Sequence, residues 1–260
     1  MIHIGMDPNM ASIGSFIISW HGFFISVAII TGILIPALLA PKAGLLRENI
    51  FSIAIWAVPG GIIGARMIHV FDYWDFFRAN PAAIFHMWEG GLGIWGAILG
   101  GTITALIYGW IKGLPMARYA DVIGLGLIMA QAVGRIGDVI NGEHFSKVTD
   151  LSWAVIYTHP NSPAFGLPAS HPAVAYELIM DLLIFGMLWI LLGRLKPDGS
   201  LFMLYLIVYS VGRFFLSYLR IDSNTVIWEL NQPQWICLIV LAIVVPLMIR
   251  QYTWGKQQIS

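Results

Sequence analysis

Long runs of apolar residues, interrupted mainly by glycine and proline, restrict what this 260-residue chain can fold into. Several runs reach the roughly 20 residues that a helix needs to cross about 30 Å of hydrocarbon. Hydrophobic residues make up 58% of the chain and charged residues only 11%, whereas about 25% of a typical soluble domain is charged. The sequence therefore predicts an all-α, polytopic membrane protein.

We predict seven membrane-spanning helices, which is the number of long apolar segments that hydropathy separates. The glycines and prolines inside them are compatible with membrane helices, because small residues let neighbouring helices approach closely. The predicted spans cover roughly residues 15–40, 49–71, 90–111, 119–140, 172–193, 200–219 and 233–250.

The basic residues are sorted unevenly between the two sides of this seven-span arrangement. Cytoplasmic loops of membrane proteins carry an excess of Lys and Arg, so we expect the N-terminus outside and the C-terminus in the cytoplasm. The basic side has Lys42, Arg47, Lys112, Arg118, Arg194, Lys196, Arg250 and Lys256, and the other side has Arg78, Lys147 and Arg220.

The segment 141–171 is the longest loop between predicted spans and would lie on the outer face. Loops of this length without regular structure often act as lids or binding segments. We expect 141–171 to form an external loop or head segment over a site, within a single transmembrane domain that covers residues 1–260.

Composition and motifs exclude several classes of function. The formal net charge is zero, so the chain lacks the basic surface typical of nucleic-acid binding. Cys237 is the only cysteine, which excludes a disulfide framework and a cysteine metal site. The seven histidines are scattered, and no HExxH, P-loop or GxSxG pattern occurs. We expect no metal, no cofactor and no nucleic-acid partner.

Polar residues inside the predicted spans converge on one depth. A charged side chain within a membrane helix costs several kcal/mol and marks a functional site by default. At about 1.5 Å per helical residue, polar groups from five spans fall in or near the outer half of the bilayer, where we predict a shared polar cavity. They are His21, Arg66, Arg135, Asp138, Asn141, Glu143, Glu177, Asp181 and Arg213.

Three of these residues, Arg66, Arg135 and Arg213, are suited to binding an anion. A guanidinium stays charged and offers a planar fork that matches phosphate oxygens, and the abundant phosphate in an outer leaflet is a phospholipid head group. The alternative is that the arginines pair structurally with the nearby carboxylates. The residue types alone leave both interpretations open.

The stretch at the end of the fourth span resembles a known family signature. Prolipoprotein diacylglyceryl transferases carry Gly-Arg-x-Gly-Asn-Phe-x-Asn-x-Glu-x-x-Gly. The corresponding stretch is Gly134-Arg135-Ile136-Gly137-Asp138-Val139-Ile140-Asn141-Gly142-Glu143.

Further matches to this family follow in order along nearly the whole chain. Each is weak alone, but the ordered series is specific. They are Ser19-Trp20-His21-Gly22, Gly64-Ala65-Arg66, Trp88-Glu89-Gly90-Gly91-Leu92, Asp121, His171-Pro172 with Tyr176-Glu177, and Tyr209 with Arg213 and Arg220.

The resemblance implies a multi-pass enzyme of the bacterial cytoplasmic (inner) membrane. Such an enzyme moves diacylglyceryl from phosphatidylglycerol to the lipobox cysteine of a preprolipoprotein, which forms a thioether and releases glycerol-1-phosphate. The implied partners are phosphatidylglycerol, preprolipoprotein signal peptides with a lipobox cysteine, and membrane lipids.

The resemblance also implies roles for individual residues. Arg135 would bind the lipid phosphate, and Arg213 would be the second essential arginine. The residues that would shape and hold the substrate site are Arg66, Trp95, Asn141, Gly142, Glu143, Glu177 and Tyr209.

Several positions depart from the family pattern. Asp138 stands where the signature has Asn, and His21 where Tyr is usual. Trp95 replaces a histidine that is proposed as the base in some members. We predict that His21 or Asp138 acts as the proton acceptor instead, since both can titrate usefully when buried near arginine. The alternative is that His21 only forms a structural hydrogen bond. Two further departures are Ser146 for Gly and Ser217 for Glu.

These departures favour one alternative function, a family paralogue that binds phospholipid or a lipoprotein precursor without the usual catalysis. A carboxylate at Asp138, three residues from Arg135, would neutralise the guanidinium meant for lipid phosphate. A secondary transporter is disfavoured, because transporters place their sites at the midplane between repeated halves.

Overall fold

Seven long helices dominate the structure, a computed structural model that describes residues 1–14, 16–86, 90–222 and 225–257. Each is long and apolar enough to cross a membrane, which confirms the predicted number of spans within the described ranges. The helices are α1 (Trp20–Leu39), α2 (Arg47–Asp72), the short α3 (Trp74–Ala79), α4 (Ile94–Ile111), α5 (Met116–Asn141), α6 (Ala173–Leu191), α7 (Ser200–Leu216) and α8 (Gln232–Gln257).

In the described ranges, six short strands connect or extend these helices. They form three two-stranded sheets, of which one pairs β1 with β4 in parallel and places Ile2 opposite Val155 and Ile4 opposite Tyr157. The strands are β1 (Ile2–Ile4), β2 (Asn9–Ile13), β3 (Phe16–Ser19), β4 (Val155–Tyr157), β5 (Thr225–Ile227) and β6 (Leu230–Asn231).

The first span begins later than the sequence predicts. Residues 16–19, expected in a helix from about residue 15, form β3 and pair antiparallel with β2. A short apolar run does not distinguish strand from helix by periodicity. Ser19 then starts the helix, because its Oγ accepts a hydrogen bond from the backbone N–H of Gly22 at 3.0 Å, as an N-cap residue does.

The third span also begins later, at Ile94 instead of about residue 90. Gly90 and Gly91 have φ angles of 87° and 76°, which a right-handed helix cannot include. A Cβ on Gly91 would also overlap the imidazole of His69. The paired glycines therefore form a turn before α4. Trp88 and Glu89, which belong to the predicted family match, lie outside the described residues.

The chain divides into two compact units, residues 37–119 and residues 1–36 with 120–260. The prediction of a single transmembrane domain stays a prediction, and each unit is described by itself.

In the unit 37–119, α2 and α4 pack along a seam of glycines spaced four residues apart. A Cβ on Gly64 would overlap the backbone carbonyl of Gly96, and a Cβ on Gly100 would overlap that of Gly60. Small-xxx-small patterns bring membrane helices into backbone contact. The prediction that glycines within the spans let neighbouring helices approach closely is therefore confirmed for α2 and α4.

In the other unit, α5 is held at both ends. Near its start, the Asp121 carboxylate accepts hydrogen bonds from the backbone N–H groups of Gly199 at 2.8 Å and Phe202 at 2.9 Å, at the first turn of α7. Near its end, Gly137 lets α1 approach, since an added Cβ would lie 3.0 Å from the Cα of His21. The first contact joins the starts of α5 and α7, and the second joins the end of α5 to the start of α1.

Substituting Gly96 by Ala should destabilise the protein, because the new methyl group would enter a backbone contact with α2. Overpacking of this kind costs roughly 1–3 kcal/mol. We expect a lower thermal unfolding temperature in detergent, followed by tryptophan fluorescence. Gly186→Ala in α6 is the matched control, because nothing lies within 4 Å of its added Cβ. An equal effect of the two substitutions would contradict the glycine seam.

Candidate functional site

The carboxylate of Glu177 lies at the centre of the site and is almost fully buried, with 1% of its side chain exposed. Its Oε1 accepts hydrogen bonds from Arg135 Nη2 at 2.7 Å and from the Tyr209 hydroxyl at 3.2 Å. Its Oε2 accepts one from Arg213 Nη1 at 3.3 Å. A buried carboxylate requires such partners. Glu177 therefore joins α5, α6 and α7 at one point.

Asp138 forms a second centre one helical turn after Arg135. Its Oδ2 accepts a hydrogen bond from Arg135 Nη1 at 2.6 Å, and its Oδ1 lies 2.8 Å from Nδ1 of His21. The spacing of three residues places Arg135 and Asp138 on the same face of α5. Arg135 is thus held between two carboxylates, and Asp138 links it to the start of α1.

The network continues through His144 into residues 141–171, the segment predicted to be external and called the external segment below. Nε2 of His144 lies 3.5 Å from Asp138 Oδ2. Its Nδ1 lies 2.7 Å from Arg220 Nη2 and 3.2 Å from Asp222 Oδ2. A neutral imidazole can accept at Nδ1 from Arg220, whereas a protonated one donates to Asp222. Arg220 also bonds Asp222 directly and has Nη1 3.8 Å from Glu177 Oε2.

Hydrogen bonds control the protonation of His144 and Asp222, which lie outside the spans. Burial lowers the pKa of His144, but its hydrogen bonds to Asp138 and Asp222 outweigh burial and raise the pKa above its usual range. Burial raises the pKa of Asp222, but hydrogen bonds from His144 and Arg220 outweigh it and hold this pKa well below its usual range. The pair is therefore most stable with His144 positive and Asp222 negative.

The end of α5 turns sharply beside these residues. Asn141 Nδ2 donates to Glu143 Oε2 at 2.8 Å, and Gly142 has a φ angle of 75°. A Cβ on Gly142 would overlap the ring of Tyr157 and the hydroxyl of Ser162. Gly142 therefore lets the external segment fold back onto α5, with Glu143 Oε1 3.4 Å from His21 Nδ1.

Several guanidinium N–H groups in the site are unused. A guanidinium has five N–H donors, and Arg213 makes one hydrogen bond to the described residues. The Arg135 Nε is buried and has no hydrogen-bond partner in the described ranges. Ser217, where the family resemblance implies Glu, donates its hydroxyl to the carbonyl of Arg213 at 2.8 Å and adds no carboxylate. The site can therefore accept an anion.

Two predicted site residues lie in the other unit. Trp95 is the second residue of α4 and is partly exposed. Arg66 is buried, and its Cζ lies 5.2 Å from the centre of the Phe77 ring. All five of its N–H groups donate to backbone carbonyls, so Arg66 anchors the loop after α3. The role of both residues in substrate binding stays a prediction. The acceptors are the carbonyls of Ala83, Ile84, His86, Gly90 and Gly91.

Three side chains of the site carry atoms of the kind that bind metal ions. His21, Asp138 and Glu143 place donor atoms within 4.8 Å of one another. The donors are already engaged, since Asp138 bonds Arg135 and His21, and Glu143 bonds Asn141. The ion pairs account for this arrangement.

The structure brings most predicted residues of the larger unit together and adds some that sequence reasoning missed. Arg135, Arg213, His21, Asp138 and Glu177 form one network with Tyr209, Asn141 and Glu143. Asp181, predicted in the same cavity, is buried, and neither of its carboxylate oxygens has a hydrogen-bond partner among the described residues. The missed members are His144 and Asp222, whereas Arg220 belonged to the predicted family match without a role in the site. The position of His144 directly after Glu143, a predicted site residue, was the sequence signal that could have identified it.

Comparison with known proteins gives one consistent result. A family model described as prolipoprotein diacylglyceryl transferase matches residues 8–250. Curated relatives named phosphatidylglycerol–prolipoprotein diacylglyceryl transferase are similar over most of their length. The chain is 33% identical to that of Dehalococcoides mccartyi over 259 residues, which cover 99% of this chain and 98% of the relative. It is 36% identical to that of Symbiobacterium thermophilum over 240 residues, with 90% and 89% covered.

The charge of His144 should make stability depend on pH. Because its folded pKa is raised, the stabilisation is fully present below the unfolded value of about 6.5 and is lost as pH rises through the folded value. The groups that face this imidazole are Asp138, Asp222, Arg220, Glu143 and His21.

Thermal unfolding between pH 5 and pH 9 tests this expectation. His144→Asn should lower the unfolding temperature at pH 5 and flatten its decline above pH 6.5. His3→Asn, at an exposed position of β1, is the control. A wild-type decline that His144→Asn leaves unchanged would show that another group causes it.

Proposed function

Because the chain belongs to the prolipoprotein diacylglyceryl transferase family, we propose that it transfers diacylglyceryl from phosphatidylglycerol to the lipobox cysteine of preprolipoproteins. The products are a thioether and glycerol-1-phosphate. The observation that carries this proposal is the pairing of Arg135 and Arg213 on one buried carboxylate, with unused N–H donors on both.

The two arginines are suited to bind the lipid phosphate. The phosphodiester of phosphatidylglycerol carries one negative charge, and the departing phosphate monoester gains a second. Guanidinium groups held beside it therefore stabilise the transition state more than the bound substrate, which is what raises the rate. Glu177 acts as a positioning residue, because it orients both arginines without using all their donors.

His21 is the better of the two predicted proton acceptors. With Nδ1–H donating to Asp138 Oδ1 at 2.8 Å, the lone pair lies on Nε2, which has no hydrogen-bond partner in the described part of the chain. The side chain is 37% exposed, so a thiol can reach it. Asp138 is a poorer base, because its oxygens are bonded to His21 and Arg135. It orients His21 instead.

The reaction then follows from these positions. The cysteine S–H gives its proton to Nε2 of His21, and the thiolate attacks the glyceryl carbon that carries the phosphate. The new C–S bond forms as the C–O bond breaks, and the electron pair leaves with the phosphate oxygen. Arg135 and Arg213 stabilise that leaving charge, and the proton on His21 can return to the released phosphate.

The position of the site in the chain agrees with a phospholipid substrate. Arg135 lies six residues before the end of α5, or about 9 Å at the rise of an α-helix, which corresponds to the head-group region. We propose that this end faces outward from the bacterial cytoplasmic membrane, with the C-terminus in the cytoplasm. Seven candidate spans and the sorting of basic residues support this orientation.

One observation favours the alternative, a paralogue that binds phospholipid or a lipoprotein precursor without catalysis. Asp138, which replaces the Asn of the signature, occupies one guanidinium N–H of Arg135 at 2.6 Å. Such a protein would retain phosphatidylglycerol but form no thioether on a lipobox peptide. The transferase is the better-supported proposal, because Arg213 keeps most of its donors unused.

Removing either arginine should abolish most of the transfer. We expect Arg135→Ala and Arg213→Ala to lower the rate at least about 100-fold, the scale seen for loss of a donor to a developing anion. Mass spectrometry of a lipobox peptide incubated with phosphatidylglycerol measures the product. Arg194→Ala, at an exposed position after α6, should match the wild type. Full activity of both site variants would contradict the proposal.

His21 and Asp138 should affect different kinetic constants. His21→Ala should lower kcat about 100-fold or more, since general base catalysis contributes roughly 10²–10⁴, and should leave the KM for phosphatidylglycerol nearly unchanged. Asp138→Asn should lower kcat less, because the amide can still bond His21. It should also lower that KM, because Arg135 regains a free N–H. If both variants keep the wild-type kcat, the His21–Asp138 pair is not the base.

A further inference from the structure

A cavity of about 680 Å³ lies in the same unit as the candidate site, between the external segment and the first turns of α6. This volume falls in the range of binding pockets. Its wall is largely apolar, and several of the side chains are partly exposed. Apolar residues of the wall include Ile4, Val148, Trp153, Leu167, Ile179 and Ile221.

The cavity borders the candidate site. Val139 and His144 both line it, and His144 Nε2 lies 3.5 Å from Asp138 Oδ2. The opposite oxygen of that carboxylate bonds His21 at 2.8 Å. A molecule in the cavity therefore has one end close to the carboxylate that orients the proposed base.

The lining does not suit a phosphate head group. Among the described residues, the lining contains no arginine or lysine. The imidazole of His144 lines it but already faces Asp138 and Asp222, so an anion in this apolar cavity would lack a cation of its own and is strongly disfavoured. The arginines suited to phosphate lie beside Glu177 and not in this lining. The cavity is therefore suited to an uncharged, apolar molecule or segment.

A polar atom in the lining distinguishes a polypeptide from a lipid chain. Nδ1 of His171 is buried and has no hydrogen-bond partner among the described residues, and His171 lines the cavity. A buried polar atom without a partner is costly. An acyl chain would leave it unsatisfied, whereas the backbone of a peptide can bond it. Most of the wall also belongs to residues 144–172, outside the membrane spans.

We propose that this cavity binds the apolar stretch of the preprolipoprotein next to its acceptor cysteine. This proposal rests on the proposed function, since it assigns the second substrate of the same reaction to a place. The peptide lies in the cavity with its cysteine towards His21, and the lipid phosphate lies on Arg135 and Arg213. The Asp138 carboxylate lies between the two substrates.

Filling the cavity tests this assignment. Val148→Trp and Leu167→Trp add bulk at lining positions that are 63% and 45% exposed, so the fold should tolerate them. We expect each to raise the KM for a lipobox peptide about 10-fold and to leave the KM for phosphatidylglycerol within about twofold. Phe165→Trp is the matched control, because Phe165 is 51% exposed and does not line the cavity.

A rise in the KM for phosphatidylglycerol alone would assign the cavity to an acyl chain and overturn the proposal. No change in either KM would show that neither substrate uses the cavity. Unfolding temperatures of all variants confirm that they are folded.

A cross-linking experiment separates this proposal from the proposed function, because it needs no turnover. Cys237 is the only cysteine and is buried, so a cysteine introduced by Val148→Cys is the main thiol available. In the presence of an added thiol oxidant, it should form a disulfide with a lipobox peptide whose cysteine is replaced by serine and which carries a new cysteine four residues earlier. The same peptide should not cross-link to Phe165→Cys. Cross-linking without transfer by the wild type would contradict only the proposed function. Equal cross-linking at both positions would overturn the cavity assignment.

Discussion

The buried carboxylate of Glu177 is the interaction on which the site depends. An ionised carboxylate away from water is expensive, and it persists only when cations and hydrogen-bond donors surround it. Arg135, Arg213 and Tyr209 supply these donors from two other helices. The same contacts that stabilise the charge fix the arginines in place. Folding therefore assembles a pair of guanidinium groups that a membrane helix would not carry alone.

In the proposed mechanism, Asp138 lies between two sides of the site. Its contact with Arg135 belongs to the phosphate side, and its contact with His21 belongs to the side where a thiol would lose its proton. The asparagine of the family signature is uncharged and has a single acceptor oxygen for these two contacts. Under this mechanism, the carboxylate of Asp138 makes His21 a stronger base and leaves Arg135 with one N–H fewer for the lipid phosphate.

The long apolar runs predicted the seven spans because a membrane leaves few alternatives to a helix. The ends of spans were less predictable. Residues 16–19 are apolar but pair as a strand, and Gly90 and Gly91 have backbone angles outside the helical region. Both depend on local backbone geometry that hydropathy does not describe.

The sequence predicted that the charged residues converge on one depth, but it did not predict which residues pair. Depth along a helix follows from counting residues, whereas the pairing of Arg135 with Glu177 joins positions 42 residues apart. His144 was not predicted, because it lies beyond the span and belongs to no metal or catalytic motif. Its contacts with Asp138 and Arg220 exist only once the external segment folds back over α5. Arg66 was predicted in the site but shows the opposite case. Its N–H groups all donate to backbone carbonyls of the loop after α3.

The central claim is that Arg135 and Arg213, held by Glu177, recognise the phosphate of the lipid. The most direct measurement compares the affinity of the purified protein for phosphatidylglycerol with that for diacylglycerol of the same acyl chains. The wild type should bind phosphatidylglycerol at least about 10-fold more tightly, a difference of about 1.4 kcal/mol, and a variant with both arginines replaced by alanine should lose this preference. A preference that survives the double substitution would contradict the account.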